Sequence, residues 1–190
     1  IHKDKIPLTG GIIIFINIFI FHLFNYFEGF TLISDRIFFK SSELYLFFFG
    51  VVSFFLIGIF DDKYNISANK KIILIILILS LLMFFDEKLL INSARLSFTN
   101  YELNFGNFNF IWTLICFLLF INAFNMLDGI NLLSGIYSII IIFILLVLKY
   151  EILFFSSILF LLLFFSYLNY KNKSFLGNSG SYLLPFIFSY

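Results

Sequence analysis

Long apolar runs separated by short polar loops leave this chain one broad architecture. The runs fall at 8–27, 44–60, 70–86, 108–127, 129–148 and 152–168, and a seventh starts near 182. A helix needs about 20 apolar residues to cross the hydrocarbon core, and shorter runs suffice when flanking residues reach the interface. Lipid offers the backbone no hydrogen-bond partners, so each run is expected to be helical. Composition agrees: 62% of residues are hydrophobic, 12% are charged, and the mean hydropathy is +1.05. Soluble domains carry about 25% charged residues. The expectation is an all-α polytopic integral membrane protein with about seven transmembrane helices, residues 1–190 forming a single transmembrane domain. A start without Met and a stop within the apolar YLLPFIFSY suggest truncation at both ends. Cys116 is the only cysteine, so no intrachain disulfide is expected. A net charge of +1 gives no reason to expect a nucleic-acid partner.

Counting crossings places the polar clusters. If the chain begins on one side, the second, fourth and sixth spans return to it. They deliver GIFDDKYN, NAFNMLDG and KNKSFLGNSGS to the same face. That face carries seven basic residues, Lys3, Lys5, Lys63, Lys70, Lys71, Lys171 and Lys173, against five opposite. The positive-inside bias makes it cytoplasmic. On the far side, SARLSFTNYELNFGNFNF alternates polar and apolar residues around Asn and Gly, so a short extracytoplasmic β-hairpin is expected.

The clusters themselves suggest chemistry. Asp61 and Asp62 are adjacent carboxylates at the end of an apolar run. They repel each other and resist desolvation, so they read either as a solvated loop start or as a site for a hard divalent cation. Asn122, Asn125 and Asp128 recur every three residues, within a sector of about 120° of one helix face. Interhelical hydrogen bonding accounts for one such Asn; three polar groups leading into Asp-Gly point to a cavity wall. GNSGS (177–181) could be an ordinary turn or a backbone cradle for phosphate, and KIPLTGG (5–11) a plain loop or a flexible lip. His22 reads as a core or interface residue. Carboxylates, amides and lysines near span ends, on one face, suit a phosphate-bearing substrate that is half lipid; an ion conduit would place its charges at mid-membrane.

In order and spacing, HKDKIPLTGG, GIFDDKYNIS, NAFNMLDGI and FLGNSGS resemble the polyprenyl-phosphate N-acetylhexosamine-1-phosphate transferases. That superfamily, glycosyltransferase family 4, includes the undecaprenyl-phosphate GlcNAc-1-phosphate and phospho-N-acetylmuramoyl-pentapeptide transferases. IPLTGG is nearer the first branch. The resemblance implies a bundle of about ten or eleven helices, of which this chain would be a part. It implies transfer of HexNAc-1-phosphate from a UDP-N-acetylhexosamine to a polyprenyl phosphate, giving polyprenyl-diphospho-sugar and UMP. This would be the first membrane step of lipopolysaccharide, cell-wall or other envelope polysaccharide synthesis, at the cytoplasmic face of a bacterial inner membrane.

By the same resemblance, Asp61, Asp62 and Asp128 are catalytic. Asn122, Asn125, Lys71, His2, Lys3, Gly177 and Ser179 bind substrate, and Asp62, Asp128 and Asn178 hold Mg²⁺, with Mn²⁺ as a substitute. Two positions depart from the family pattern. Asn131 stands where a second carboxylate follows Asp128, and Asn178 stands where the family places its metal-binding Asp. The alternatives are a family member that binds lipid or nucleotide without turnover, and an unrelated membrane transporter.

Overall fold

A computed structural model of the chain describes residues 7–27, 41–96, 98 and 101–190. Among the described residues seven α-helices follow in order: α1 (Gly10–Phe27), α2 (Ser41–Tyr64), α3 (Ala68–Phe85), α4 (Asn109–Leu127), α5 (Leu133–Val147), α6 (Ile152–Tyr170) and α7 (Gly177–Ser189). Among the described residues five stretches are long and apolar enough to cross a membrane: Gly10–Phe27, Ser42–Tyr64, Ala68–Phe85, Gly106–Leu127 and Ile152–Tyr170, with mean hydropathies of 1.8 to 2.2. The chain is a multi-pass membrane protein, all-α among the described residues apart from one small hairpin. In that hairpin β1 (Ser93–Arg95) pairs antiparallel with β2 (Glu102–Asn104), between α3 and α4 as the residue alternation predicts.

Three boundaries differ most from the apolar runs, each for a physical reason. The second run ends at 60, yet α2 continues through Asp61, Asp62, Lys63 and Tyr64, because Asp61 and Asp62 find partners on neighbouring elements. The fifth run, 129–148, shortens to α5 at Leu133–Val147. Residues 129–132 instead form tight turns, with Leu132 in the left-handed region at φ 67°. The seventh helix starts at Gly177 rather than near 182, so GNSGS is its first turn and not a loop before it.

That last difference explains the architecture. α7 packs against α1, α2 and α4, and its buried stretch runs unbroken from Ser179 to Ile187. Small residues allow this: a Cβ on Gly58 would sit 2.2 Å from Ser179 Cα, and one on Gly11 would sit 2.3 Å from the Gly180 nitrogen. Backbones therefore touch where α1 and α2 meet the start of α7, as membrane helices do through small residues. Farther along, Phe186 stacks on Phe54 at 4.7 Å and on Phe47 at 6.0 Å, within a core that includes Val51, Ile121, Ile158 and Leu162. α7 is thus the inner post of the bundle, and the outer helices turn apolar side chains such as Phe84, Leu119 and Phe160 outward.

His22 belongs to this packing. Its ring stacks on Phe48 at 4.1 Å and meets Tyr45 edge-on, as a core or interface residue would.

Candidate functional site

The end of α2, the end of α4 and the start of α7 come together, so the crossing count placed these clusters correctly on one face. The IPLTGG segment joins them. Phe175 N–H donates to Pro7 O, while Gly10 and Gly11 N–H donate to Phe175 and Leu176 carbonyls. Thr9 and Ser174 hydroxyls meet at 2.6 Å. KIPLTGG is therefore tied down at its glycine end, rather than loose as a flexible lip would be.

The two adjacent aspartates diverge, because neighbours on a helix point about 100° apart. Asp61 is 1% exposed and turns into the bundle. Its Oδ2 lies 2.6 Å from Lys71 Nζ and accepts from Tyr182 Oη at 3.2 Å, and its Oδ1 accepts from the Ile66 N–H at 3.0 Å. The carboxylate thereby ties α2 to α3 and α7. Lys71, expected to contact substrate phosphate, is the cationic half of this pair.

Asp62 faces the other way. It accepts from the Asn178 N–H at 2.9 Å and the Ser179 N–H at 3.3 Å, the first free N–H groups of α7. These are the groups that GNSGS offers as a phosphate cradle. In the structure the anion they hold is Asp62, which is where a helix N-terminus favours negative charge. Gly177, at φ +75°, lets the chain turn into this helix directly beside the carboxylate.

Asp62 also lines a cavity of about 380 Å³, shared with Asp128, Asn131, Asn169, Asn172, Gly177 and Asn178. Asp128 caps the end of α4 and accepts from Ser134 Oγ at 2.7 Å. Burial, reinforced by the charge of Asp62 and opposed by the Ser134 hydrogen bond, pushes its carboxyl up to about 6. Two carboxylates carried by different helices thus face one space and repel each other.

Of the Asn122–Asn125–Asp128 series, the last two reach the site. Asn125 Nδ2 donates to Asn178 Oδ1 at 3.0 Å and to Ser181 Oγ at 2.6 Å, joining α4 to α7. Asn122 is exposed and donates to the Leu118 carbonyl on its own helix. A sector of 120° is too wide for one small cavity. His2 and Lys3 lie outside the described residues.

The sequence reading missed Asn169. Its buried side chain accepts from the Leu132 N–H at 2.8 Å and donates to the Ser174 carbonyl at 2.9 Å. It therefore holds the loop after Asp128 against the loop before α7. Asn131, in the position of an expected carboxylate, donates to Asn172 Oδ1 at 2.8 Å across the same rim. The signal was present: Asn169 is a polar residue closing an apolar run, as Asn125 is.

The donor set suits a hard divalent cation. Among the described residues no three of His, Cys, Asp and Glu cluster as a complete metal cage. Mg²⁺, however, needs only one or two carboxylates when waters and substrate phosphates complete its shell, and it would relieve the Asp62–Asp128 repulsion.

Comparison with known proteins follows the same residues. Residues 44–190 match the sequence model of glycosyl transferase family 4. The undecaprenyl-phosphate alpha-N-acetylglucosaminyl 1-phosphate transferase of Salmonella typhi is 34% identical to this chain over 135 residues, and that of Escherichia coli strain K12 is 33% identical; each alignment covers 70% of this chain. A phospho-N-acetylmuramoyl-pentapeptide-transferase of Kosmotoga olearia is 27% identical over 193 residues, covering 96% of this chain and 58% of that protein. The chain spans 33% of the length of the Salmonella and Escherichia proteins. With the family match running through the acidic pair, the Asn125–Asp128 segment and α7, the chain belongs to glycosyl transferase family 4.

Proposed function

We propose that this chain carries the phosphoryl-transfer site of an enzyme that moves HexNAc-1-phosphate from a UDP-N-acetylhexosamine to a polyprenyl phosphate. One observation carries the reading: Asp62 and Asp128, from separate helices, line one cavity at the end of the bundle where α7 begins. A lipid phosphate reaches such a site laterally, and a nucleotide sugar reaches it from water. In the reaction, an oxygen of the polyprenyl phosphate attacks the β-phosphorus. The bond from that phosphorus to the bridging oxygen breaks, and UMP leaves with the oxygen. Little covalent chemistry falls to the protein, which positions the two phosphates and offsets their charge.

Asp62 and Asp128 would hold Mg²⁺, or Mn²⁺ in its place, with Asn178 beside them. The bound ion supplies charge neutralisation on the transferring group. Asp62 is itself oriented by two α7 amides, Asp128 by Ser134, and the rim of the cavity by Asn169. Asp61, paired with Lys71 and turned from the cavity, serves position rather than contact with substrate. The names of the relatives and the basic excess on this face support a bacterial inner membrane with the site at its cytoplasmic surface. The full-length protein should release UMP from a UDP-N-acetylhexosamine only when undecaprenyl phosphate and Mg²⁺ are both present. Absence of release with every UDP-HexNAc tried, alongside intact nucleotide binding, would favour a member that binds without turnover, the reading to which Asn178 in place of a carboxylate lends weight.

A further inference from the structure

We infer that Asn178 is a hydrogen-bond donor to substrate phosphate and not a ligand of the divalent cation; the inference rests on the transferase reading above. The argument follows the hydrogen bonds around its side chain. Ser181, fully buried, donates its hydroxyl proton to the Asn178 main-chain carbonyl at 3.3 Å. Its Oγ is therefore an acceptor, and the Asn125 amide donates to it at 2.6 Å. The second Asn125 N–H then donates to Asn178 Oδ1 at 3.0 Å. An amide has one oxygen and one NH₂ group. With the oxygen turned to Asn125, the NH₂ is the end left to face the cavity that Asn178 lines.

An NH₂ group cannot coordinate a cation, but it can donate to an anionic oxygen. Its surroundings suit that role. The Asn178 main-chain N–H is held by Asp62, so the side chain sits at a fixed distance from one of the two carboxylates. A phosphate bridged to Asp62 and Asp128 through a cation would bring an oxygen within reach of this donor. The cation itself would take protein ligands from the two carboxylates alone and complete its shell with water and phosphate. The chain therefore exchanges metal affinity for direct contact with the diphosphate.

The test uses full-length protein in nanodiscs, Mn²⁺ binding followed by electron paramagnetic resonance, and UDP binding followed by calorimetry with and without metal. Asn178→Asp is isosteric and can keep the Asn125 hydrogen bond, so it is the primary variant. It should bind Mn²⁺ at least about tenfold more tightly, because a carboxylate oxygen joins the donor set. It should also weaken metal-free UDP binding about tenfold, a donor having become a second anion. Asn178→Ala should weaken UDP binding by a similar factor and leave Mn²⁺ affinity unchanged. Unaltered Mn²⁺ affinity in Asn178→Asp, or weakened Mn²⁺ binding in Asn178→Ala, would overturn the assignment while leaving the transferase reading in place. Wild-type protein that binds neither Mn²⁺ nor UDP would overturn both.

Discussion

At the scale of single residues, the adjacent aspartates carry different work, and the difference is measurable. Asp61 is buried against Lys71, Tyr182 and the Ile66 amide, whereas Asp62 lines the cavity. Breaking a buried pair by removing one partner is costly because the other charge is stranded; Lys71, being 25% exposed, reaches water and moderates that cost. Asp61→Asn should therefore destabilise the protein by about 2 kcal/mol, seen as a lowered melting temperature in detergent, with Mn²⁺ affinity retained. Asp62→Asn should slow UMP release at least about a hundredfold with a smaller effect on melting. Equal melting temperatures for the two variants would contradict the division of labour. The sequence shows that an acidic pair closes the second apolar run. It does not show which member faces inward, because that depends on where α3 and α7 arrive. The same holds for Asn122 and Asn125. Their spacing is legible, but only packing against Ser181 and Asn178 selects Asn125.

At the scale of elements, the apolar runs located most helices well. Runs at 8–27, 70–86, 108–127 and 152–168 became Gly10–Phe27, Ala68–Phe85, Asn109–Leu127 and Ile152–Tyr170. Hydropathy saw less of α7, whose first turn is Gly, Asn and Ser. Those residues look like loop in isolation, and only the close approach of α1 and α2 gives them a helical role. The contact between Gly58 and Ser179 is the tightest expression of this. Gly58→Ala would push a methyl into backbone that has no flexible end to yield, so α7 must shift. The expected cost is about 3 kcal/mol or more, read as loss of thermal stability together with loss of nucleotide binding. An alanine variant of normal stability would mean that the helices do not approach as closely as the structure shows. An alanine substitution on an outward face, such as Leu119→Ala, should leave thermal stability little changed, since that side chain is 66% exposed.

At the scale of the whole molecule, alternation of spans sends the site to one membrane surface and the β1–β2 hairpin to the other. Single cysteines introduced into a Cys116→Ala background make this testable. With the site face cytoplasmic, as proposed, a membrane-impermeant maleimide should label positions 65, 130 and 172 only in inside-out vesicles, and positions 93 and 103 only in right-side-out cells. Labelling of both sets from the same side would contradict the crossing count. The count was accessible from sequence because each crossing needs a fixed length of apolar chain, whatever its neighbours. The cavity was not, since its walls come from residues as far apart in the chain as Leu8 and Asn178.

The burial of α7 also has a consequence in time. Of the seven helices it is the last to leave the ribosome, yet α1, α2 and α4 all pack on it. Until it arrives, Gly11 and Gly58 face an unfilled slot, and Asp62 lacks the two amides that orient it. The earlier helices can cross the bilayer one by one, but they cannot set into their final arrangement. Assembly of this part of the site therefore waits on α7, and a nascent chain halted before residue 177 holds its acidic residues without the helix that organises them.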